Sequence, residues 1–377
     1  MSSTEQGLRS TQTAELGVGP GDFTLSDTDT DTLLHLFFEQ EQPLWFLHRA
    51  RFRDAVRRPL EDPHRAHSAL ISIVCAIATR YANPELAWLE SGLTDISLST
   101  VNTALNTGGI GYEGNVLQLL QARVLLGGVL AQTGRTLQSA AVLEGACALA
   151  LALGLHGSNE QTAPTPLGVM DPIAQQSLPS PTDNVSRAER AGAFWITTAL
   201  EAIWAIARGS PPRVGFLRYH ITTPWPVTPE LAEEHQFNML SSARGPQAAR
   251  SFLDGNGQPP TWTGDNAVEL IVSAAYLLSN SSALARSMPT EDAPEAVTFE
   301  ARANAFTLAL GPTLLADIRT HPAQVLVRGV TLELHTNPGD LRAVNAARAL
   351  AAAAPALLSP SLAPGFLELA IGVRKYV

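Results

Sequence analysis

The stretch that most constrains the fold is Ser186–Pro229, in which a helical pattern runs directly into a proline-rich segment that cannot be helical. Trp195, Leu200 and Ile203 recur at helical spacing and predict one apolar face on a long amphipathic helix. Gly209 follows, and a glycine can end a helix because it readily adopts the left-handed conformation. The sequence therefore predicts a helix, a sharp stop and an extended tail, in that order.

Local signals mark both ends of this predicted helix. Ser186 is a candidate N-cap, and Glu189 stands at the position that would complete a capping box. Pro211 and Pro212 forbid continuation of the helix after its last turn. Ile221–Pro226 is predicted to be extended, because a residue that precedes proline is disfavoured in the α region.

This order of features resembles the regulatory, or middle homology, domain of fungal zinc binuclear cluster transcription factors. The matching elements are a charged run, a Phe-Trp helix, a glycine-proline turn and a Pro-Trp-Pro segment: Arg187–Arg190, Phe194-Trp195, Gly209-Ser210-Pro211-Pro212 and Pro224-Trp225-Pro226. Two positions depart from the family pattern. Many members have an Asp-Arg pair where this chain has Glu201-Ala202, and many have Arg where it has Ser210.

Two further blocks resemble the same family in the same order. Residues 33–81 are similar to its entry region, and residues 116–156 are similar to its next block, with Gly134-Arg135 between two helical patterns. The resemblance implies an all-α regulatory domain whose motif residues are architectural: Phe194, Trp195, Gly209, Pro211, Pro212, Pro224, Trp225 and Pro226.

Composition also favours helices. Hydrophobic residues make up 45% of the chain and charged residues 16%, which is typical of a globular protein with a sizeable core. We expect an all-α fold, an irregular multi-helix bundle built of αα-hairpins with long disordered loops. The predicted helices are a first one bearing Leu33, Leu34, Phe37 and Phe38, then His64–Tyr81, Leu86–Val101, Asn115–Gln132 and Leu137–Leu153, and after the opening segment Pro229–Ala243, Asp265–Leu284, Thr298–Ala316, Pro322–His335, Leu341–Ala353 and Gly365–Tyr376.

The expected domain organisation is one regulatory domain behind a short tail. Residues 1–25 are polar and are predicted to be a disordered tail, and residues 26–377 form the regulatory domain. Residues 157–185 are rich in proline, serine and glutamine and are predicted to be a flexible insert. The chain ends within a helical pattern, so its C-terminus is expected to be truncated relative to the family.

The charge distribution argues against nucleic acid as a direct partner. The formal net charge is −10, whereas a domain that grips a phosphate backbone usually carries a concentrated positive field. The local exception is His48–Arg58, with five arginines in eleven residues. Two interpretations of this run are a site for phosphate or an acidic partner, and a solvated helix face with local carboxylate partners. The second is the usual role of a charge run.

Cysteine and histidine usage predicts no metal site. The family's zinc cluster needs six clustered cysteines, and this chain has only Cys75 and Cys147, which are expected to be buried thiols. The zinc-cluster DNA-binding module is therefore expected to be absent. His64 and His67 have a spacing that could face one metal, but positions on the helix surface or at its cap are the favoured alternative. No apolar run approaches the roughly 20 residues that span a bilayer, so no membrane partner is expected.

No motif supplies a nucleophile with its base, paired carboxylates or a phosphate loop, so we expect no enzyme activity and no cofactor. Trp195 and Trp225 could line a small-molecule pocket or anchor the core, and core anchoring is favoured. The predicted function is that of a nuclear transcriptional regulator that acts through a small-molecule effector or protein partners. The alternatives are a helical scaffold or co-regulator unrelated to DNA binding and, less favoured, an all-α enzyme. The sequence does not identify the effector, the target genes or the oligomeric state.

Overall fold

The structure is a computed structural model that describes residues 25–39, 46–82, 87–106, 115–157, 178–213, 221–234, 251–253, 255, 267–287, 294–315, 321–335, 340–342, 344–346 and 348. Within these ranges every regular element is a helix and none is a strand, which confirms the all-α prediction. The helices are α1 (Asp27–Glu39), α2 (Arg49–Val56), α3 (Ser68–Thr79), α4 (Ala87–Asn106), α5 (Asn115–Gln132), α6 (Thr136–Ala152), α7 (Asn184–Ala207), α8 (Pro229–Glu234), α9 (Ala267–Ser287), α10 (Pro294–Leu315) and α11 (His321–Leu334).

The chain divides into two compact units. The first comprises residues 1–42 and 47–139, and the second comprises residues 43–46 and 140–377. The tail predicted over residues 1–25 lies outside the described residues except for Leu25, and most of the insert predicted over residues 157–185 lies outside them as well.

Helix α3 is the centre of the first unit. It contacts α1, α4 and α5, and its sequence contains no charged residue. Leu70, Ile73 and Val74 are fully buried, as a helix surrounded by other helices requires. The buried hydroxyl of Ser97 on α4 donates a hydrogen bond of 2.9 Å to the carbonyl oxygen of Ala69, which joins the two helices by a polar contact as well.

The start of α3 differs from the predicted His64. The helix begins at Ser68, because His67 has extended backbone angles (φ −63°, ψ 131°) and its Nδ1 accepts a hydrogen bond from the backbone N–H of Ala69. Asp62 holds the residues before it in a turn by accepting the backbone N–H of His64 at 2.7 Å. Both histidines thus belong to the entry into the helix, with His67 as its N-cap.

Helix α9 is the centre of the second unit and contacts α7, α10 and α11. Its residues Val268–Ser287 are long and apolar enough to cross a membrane by length and composition, but 72% of that window is buried within the fold. A core helix of a globular protein passes the same test, and the packing of α9 against three helices fits that role.

The predicted helices agree with the observed ones best where the apolar pattern is strong. Helix α5 has the predicted bounds, and α6 is offset by one residue at each end from Leu137–Leu153. Gly134 makes the turn between them with φ +76°, a conformation that costs glycine little. Helix α4 extends five residues beyond the predicted Val101, to Asn106. The predicted helix over Gly365–Tyr376 lies outside the described residues.

Candidate functional site

The Phe-Trp helix, α7, belongs to the second unit and is buried on almost every side. Its N-cap is Asp183, whose carboxylate accepts the backbone N–H of Ser186 at 2.8 Å, so the predicted cap at Ser186 is wrong by one turn. Within Ala191–Ile206 only Leu200 falls short of full burial. Of the predicted apolar face, Trp195 and Ile203 are buried and Leu200 is half-buried, and the burial of Glu201 shows that this part of the helix is also covered on another side.

The end of α7 is a glycine-dependent stop. Gly209 has φ +71°, and its N–H donates to the carbonyl of Ile206 at 2.8 Å. The N–H and the hydroxyl of Ser210 both donate to the carbonyl of Ala205, at 2.9 and 3.0 Å. These bonds satisfy carbonyl groups that the last turn of a helix otherwise leaves unpaired. Pro211 is exposed and Pro212 half-buried, directly after this stop.

The extended segment, residues 221–226, is fixed by hydrogen bonds to distant parts of the second unit. The indole Nε1 of Trp195 donates to the carbonyl oxygen of Pro224 at 2.7 Å. The backbone N–H of Thr222 donates to the carbonyl of His156 at 2.9 Å, and the buried hydroxyl of Thr223 donates to the carbonyl of Leu155. Because proline and the residue before it resist helical angles, this segment finds its partners outside itself.

Aromatic packing joins the helix to the extended segment. The rings of Trp195 and Trp225 lie 4.5 Å apart between centroids at 60°, and those of Phe194 and Trp195 lie 5.3 Å apart at 70°. Trp195 is 3% exposed and Trp225 is 6% exposed, so both indoles lie in the core. Pro226 is buried and Pro224 is half-buried beside them. The aromatic residues of the motif therefore pack together as one buried cluster, which we call the architectural cluster.

A buried acid holds the residues after the helix stop. Glu201 is 1% exposed, and both of its carboxylate oxygens accept the backbone N–H of Arg213 at 3.1 Å. The guanidinium of Arg213 in turn donates to Glu144 on α6 at 2.6 Å. Glu201 occupies a position where the chain departs from the family pattern, and here it anchors the turn through the backbone.

The first unit contains a cleft of about 660 Å³ lined by described residues, which we call the arginine cleft. Four elements form it: the start of α1, the end of α2 with the turn that follows, the first half of α3, and the middle of α4. Its lining comprises Leu25, Asp27, Thr30, Asp31, Val56, Arg57, Arg58, Pro59, Leu60, Arg65, Ser68, Ile71, Ser72, Leu93 and Ile96.

Most arginines of the run His48–Arg58 have carboxylate partners in the structure. Arg49 pairs with Glu39 at 2.5 Å, Arg57 pairs with Asp31 at 3.1 Å, and Arg58 pairs with Asp62 at 3.3 Å. These pairs confirm the prediction of a helix face with local carboxylate partners. The hydrogen bond to Asp31 raises the pKa of the Arg57 guanidinium above its ordinary value. Arg57 therefore keeps its positive charge within this pair.

Phe38 provides a second kind of support for the run. The guanidinium carbons of Arg49 and Arg53 lie 5.9 and 5.7 Å from the centroid of its half-buried ring. Cations at this distance from an aromatic face are attracted to it. Burial is the main cause that lowers the pKa of Arg53, followed by repulsion from Arg49 and Arg57.

The described part of the chain contains no group of three or more histidine, cysteine or acidic residues arranged to hold a metal ion. Cys75 and Cys147 are both buried and belong to different units. Burial raises the pKa of the Cys75 thiol to about 12, so it stays protonated and cannot act as a thiolate ligand at neutral pH. The two cysteines do not fit the six-thiolate zinc cluster of the wider family.

Three features of the second unit were not predicted from the sequence. They are the fully buried Trp204, the backbone anchor made by Glu201, and the bond from Thr223 to Leu155. One signal for the first two was present: between Ala191 and Ala207 the only charged residue is Glu201, and a helix that is apolar on all sides is a buried one. No local signal marks the partner of Thr223.

The model of the fungal specific transcription factor domain family matches residues 34–255, and the chain belongs to this family. The match includes the second half of α1, all of α2 to α8, the Phe-Trp helix and the Pro-Trp-Pro segment. It also includes the lining of the arginine cleft from Val56 to Ile96, but not the four lining residues at or just before the start of α1. It indicates a regulatory role in a fungal transcription factor, and the family is one of transcription regulators rather than enzymes. No curated protein and no solved structure gives a significant match to this sequence.

Proposed function

We propose that this chain is an effector-responsive regulatory domain of a fungal zinc-cluster transcription factor and acts in the nucleus without binding DNA itself. The observation that carries the proposal is the family match over residues 34–255, which takes in the whole architectural motif. The domain transmits its effect through a small-molecule effector or through protein contacts.

Charge and cysteine content support the part of the proposal that concerns DNA. A net charge of −10 repels a phosphate backbone, and Arg49 and Arg57 of the arginine run are paired with Glu39 and Asp31. Two buried cysteines cannot provide the thiolates of a binuclear zinc cluster. Sequence readout by the full regulator would then depend on a module other than these residues.

The absence of catalytic geometry in the Trp195 cluster supports a regulatory role over an enzymatic one. Two polar groups of this region hold backbone: the indole of Trp195 binds Pro224, and Glu201 binds Arg213. None of these contacts positions a nucleophile beside a base. The scaffold alternative predicts the same packing and differs in having no effect on transcription.

A tethering experiment tests the proposal. The full chain is joined to a heterologous DNA-binding domain, and transcription of a reporter carrying that domain's sites is measured in a fungal host. We expect reporter output to differ from that of the DNA-binding domain alone, and the difference to disappear in Trp195→Ala but persist in Trp88→Ala, a tryptophan that is 49% exposed. Reporter output identical to that of the DNA-binding domain alone would favour the scaffold.

Localisation and DNA binding are measured separately. The chain joined to a fluorescent protein is expected to concentrate in the nucleus of a fungal cell. Fluorescence anisotropy with a labelled duplex at physiological salt should detect no tight binding by the purified chain. Tight, salt-dependent binding would contradict the proposal that DNA contact lies outside these residues.

A further inference from the structure

We propose that the arginine cleft of the first unit binds a small organic anion, a carboxylate carried on an apolar body, and that this ligand is the effector. That the ligand acts as an effector rests on the proposed regulatory function. That it binds is argued from the lining of the cleft alone. A volume of about 660 Å³ lies within the range of small-molecule sites.

The preference for an anion follows from the charged lining. Three arginines and two aspartates line the cleft, which gives it a net charge of +1 inside a chain of net charge −10. Charges in a concave site act more strongly than on a flat surface, because low-dielectric walls focus the field. Asp62, just outside the lining, pairs with Arg58 and offsets its charge. The attraction for an anion therefore comes from the guanidinium of Arg65 and not from the net charge of the cleft.

Arg65 is the charge best placed to receive the ligand. Asp31 engages Arg57 through two hydrogen bonds, and Asp62 engages Arg58. The guanidinium of Arg65 donates to the carbonyl oxygen of Arg58, a neutral acceptor, and no carboxylate lies within ion-pair distance of it among the described residues. A half-buried guanidinium held by a carbonyl keeps its charge uncompensated and keeps donors for a carboxylate, which arginine binds in bidentate fashion.

The apolar part of the lining selects for a ligand with a hydrocarbon body. Val56 and Leu93 are buried behind the cleft, and Ile71 and Ile96 are half-exposed into it. Leu60 is 80% exposed and adds apolar surface to the same lining. A small inorganic anion would satisfy Arg65 and leave this surface in water.

The hydroxyl groups of Ser68 and Ser72 add polar contacts on the α3 side of the cleft. Asp27 is the opposing charge in the lining, and it lies at the start of α1. A carboxylate ligand avoids it, whereas a cationic ligand would seek it. The Asp27→Asn variant is therefore expected to bind the anion more tightly, which gives the proposal a prediction of opposite sign to that for Arg65.

Isothermal titration calorimetry with the full chain tests the proposal through three chemically matched probes. The probes are 4-phenylbutyrate, its neutral analogue 4-phenylbutanol, and inorganic phosphate. We expect one molecule of 4-phenylbutyrate to bind per chain, 4-phenylbutanol to bind at least about tenfold more weakly because it lacks the charge, and phosphate to give no measurable binding.

Variants separate the two halves of the cleft. Arg65→Gln should weaken 4-phenylbutyrate binding at least about tenfold, and Arg65→Lys should retain part of the affinity because it keeps the charge but not the planar fork. Ser72→Phe should abolish binding by filling the cleft. Arg51→Gln removes an equal charge from α2 outside the lining and should leave affinity unchanged. Circular dichroism of each variant checks that it is folded.

Several outcomes would overturn the proposal. They are failure of 4-phenylbutyrate to bind, equal affinity for the neutral analogue, phosphate binding as tightly as the carboxylate, and wild-type affinity in a folded Arg65→Gln or Ser72→Phe variant. None of these results bears on the tethered reporter, whose output without added ligand tests the regulatory function alone. Failure of the reporter with intact 4-phenylbutyrate binding would instead remove the effector role and leave the binding site.

Discussion

Replacement of Trp195 by alanine is the most direct test of the architectural cluster in the second unit. The indole is 3% exposed, lies 4.5 Å from the ring of Trp225 and 5.3 Å from that of Phe194, and donates to Pro224 at 2.7 Å. Truncation of a buried tryptophan to alanine costs about 3–5 kcal/mol through lost transfer energy and the cavity that remains. We expect the free energy of unfolding to fall by that amount.

The magnitude can be divided by a second substitution. The hydrogen bond to Pro224 contributes on the order of 1 kcal/mol, and an aromatic pair contributes about 0.5–1.5 kcal/mol beyond its buried area. Trp195→Phe removes the Nε1 donor and part of the ring but keeps an aromatic side chain against Trp225. It should therefore cost about 1–2 kcal/mol, clearly less than Trp195→Ala.

Urea unfolding followed by far-UV circular dichroism measures both variants, because the signal does not depend on the tryptophan that is removed. Trp88→Ala is the matched control, since that side chain is 49% exposed, and it should cost less than about 1 kcal/mol. Hydrogen exchange of peptides from α7 assigns the loss to the second unit. An unchanged urea midpoint for Trp195→Ala would refute the core role, and equal losses for the alanine and phenylalanine variants would refute the share assigned to packing.

Three further predictions concern single residues, each measured by urea unfolding. Gly209→Ala should cost about 1–2 kcal/mol because φ is +71° there, whereas Gly92→Ala, a helical position with open space around the added Cβ, should be neutral or stabilising by up to about 1 kcal/mol. Glu201→Gln should cost about 1–3 kcal/mol, since an amide offers one acceptor where the carboxylate offers two to the Arg213 N–H; an unchanged midpoint would show that the anchor is dispensable. Burial lowers the pKa of His67, so its contribution to stability is present above the ordinary value of 6.5 and is lost as pH falls below it. His67→Asn keeps a cap acceptor that does not titrate and should flatten the stability profile below pH 6.5; an equally steep profile would exclude His67 as the cause.

The sequence predicted elements well where a local pattern determines them. Helix α5 has the predicted bounds because an apolar period ends at a glycine turn, and both signals are local. The start of α3 was predicted four residues too early, since the imidazole of His67 caps the helix and a histidine is a less common N-cap than serine or aspartate. An N-cap is also a local feature, but this one depends on the orientation of the His67 imidazole toward the backbone N–H of Ala69, which the sequence does not specify.

The sites were less predictable because they depend on residues that are distant in the chain. The pairs Arg57 with Asp31 and Thr223 with Leu155 join different elements, and no periodicity identifies the partner. The arginine run was correctly predicted to have carboxylate partners. The cleft beside it was not predicted, because it exists only where α1, α3 and α4 meet the end of α2. Arg65 lies outside the run altogether.

The burial of α7 on nearly all sides has a consequence for how the chain is made. About 60 residues of chain separate the end of α7 from the start of α9, the helix that covers it. During synthesis at about 5–20 residues per second, α7 leaves the ribosome several seconds before its cover exists, and its apolar surface is then a substrate for chaperones. The family boundary at residue 255 falls inside this interval, before α9 begins. A fragment cut at that boundary would lack α9 and would leave exposed the surface of α7 that α9 covers.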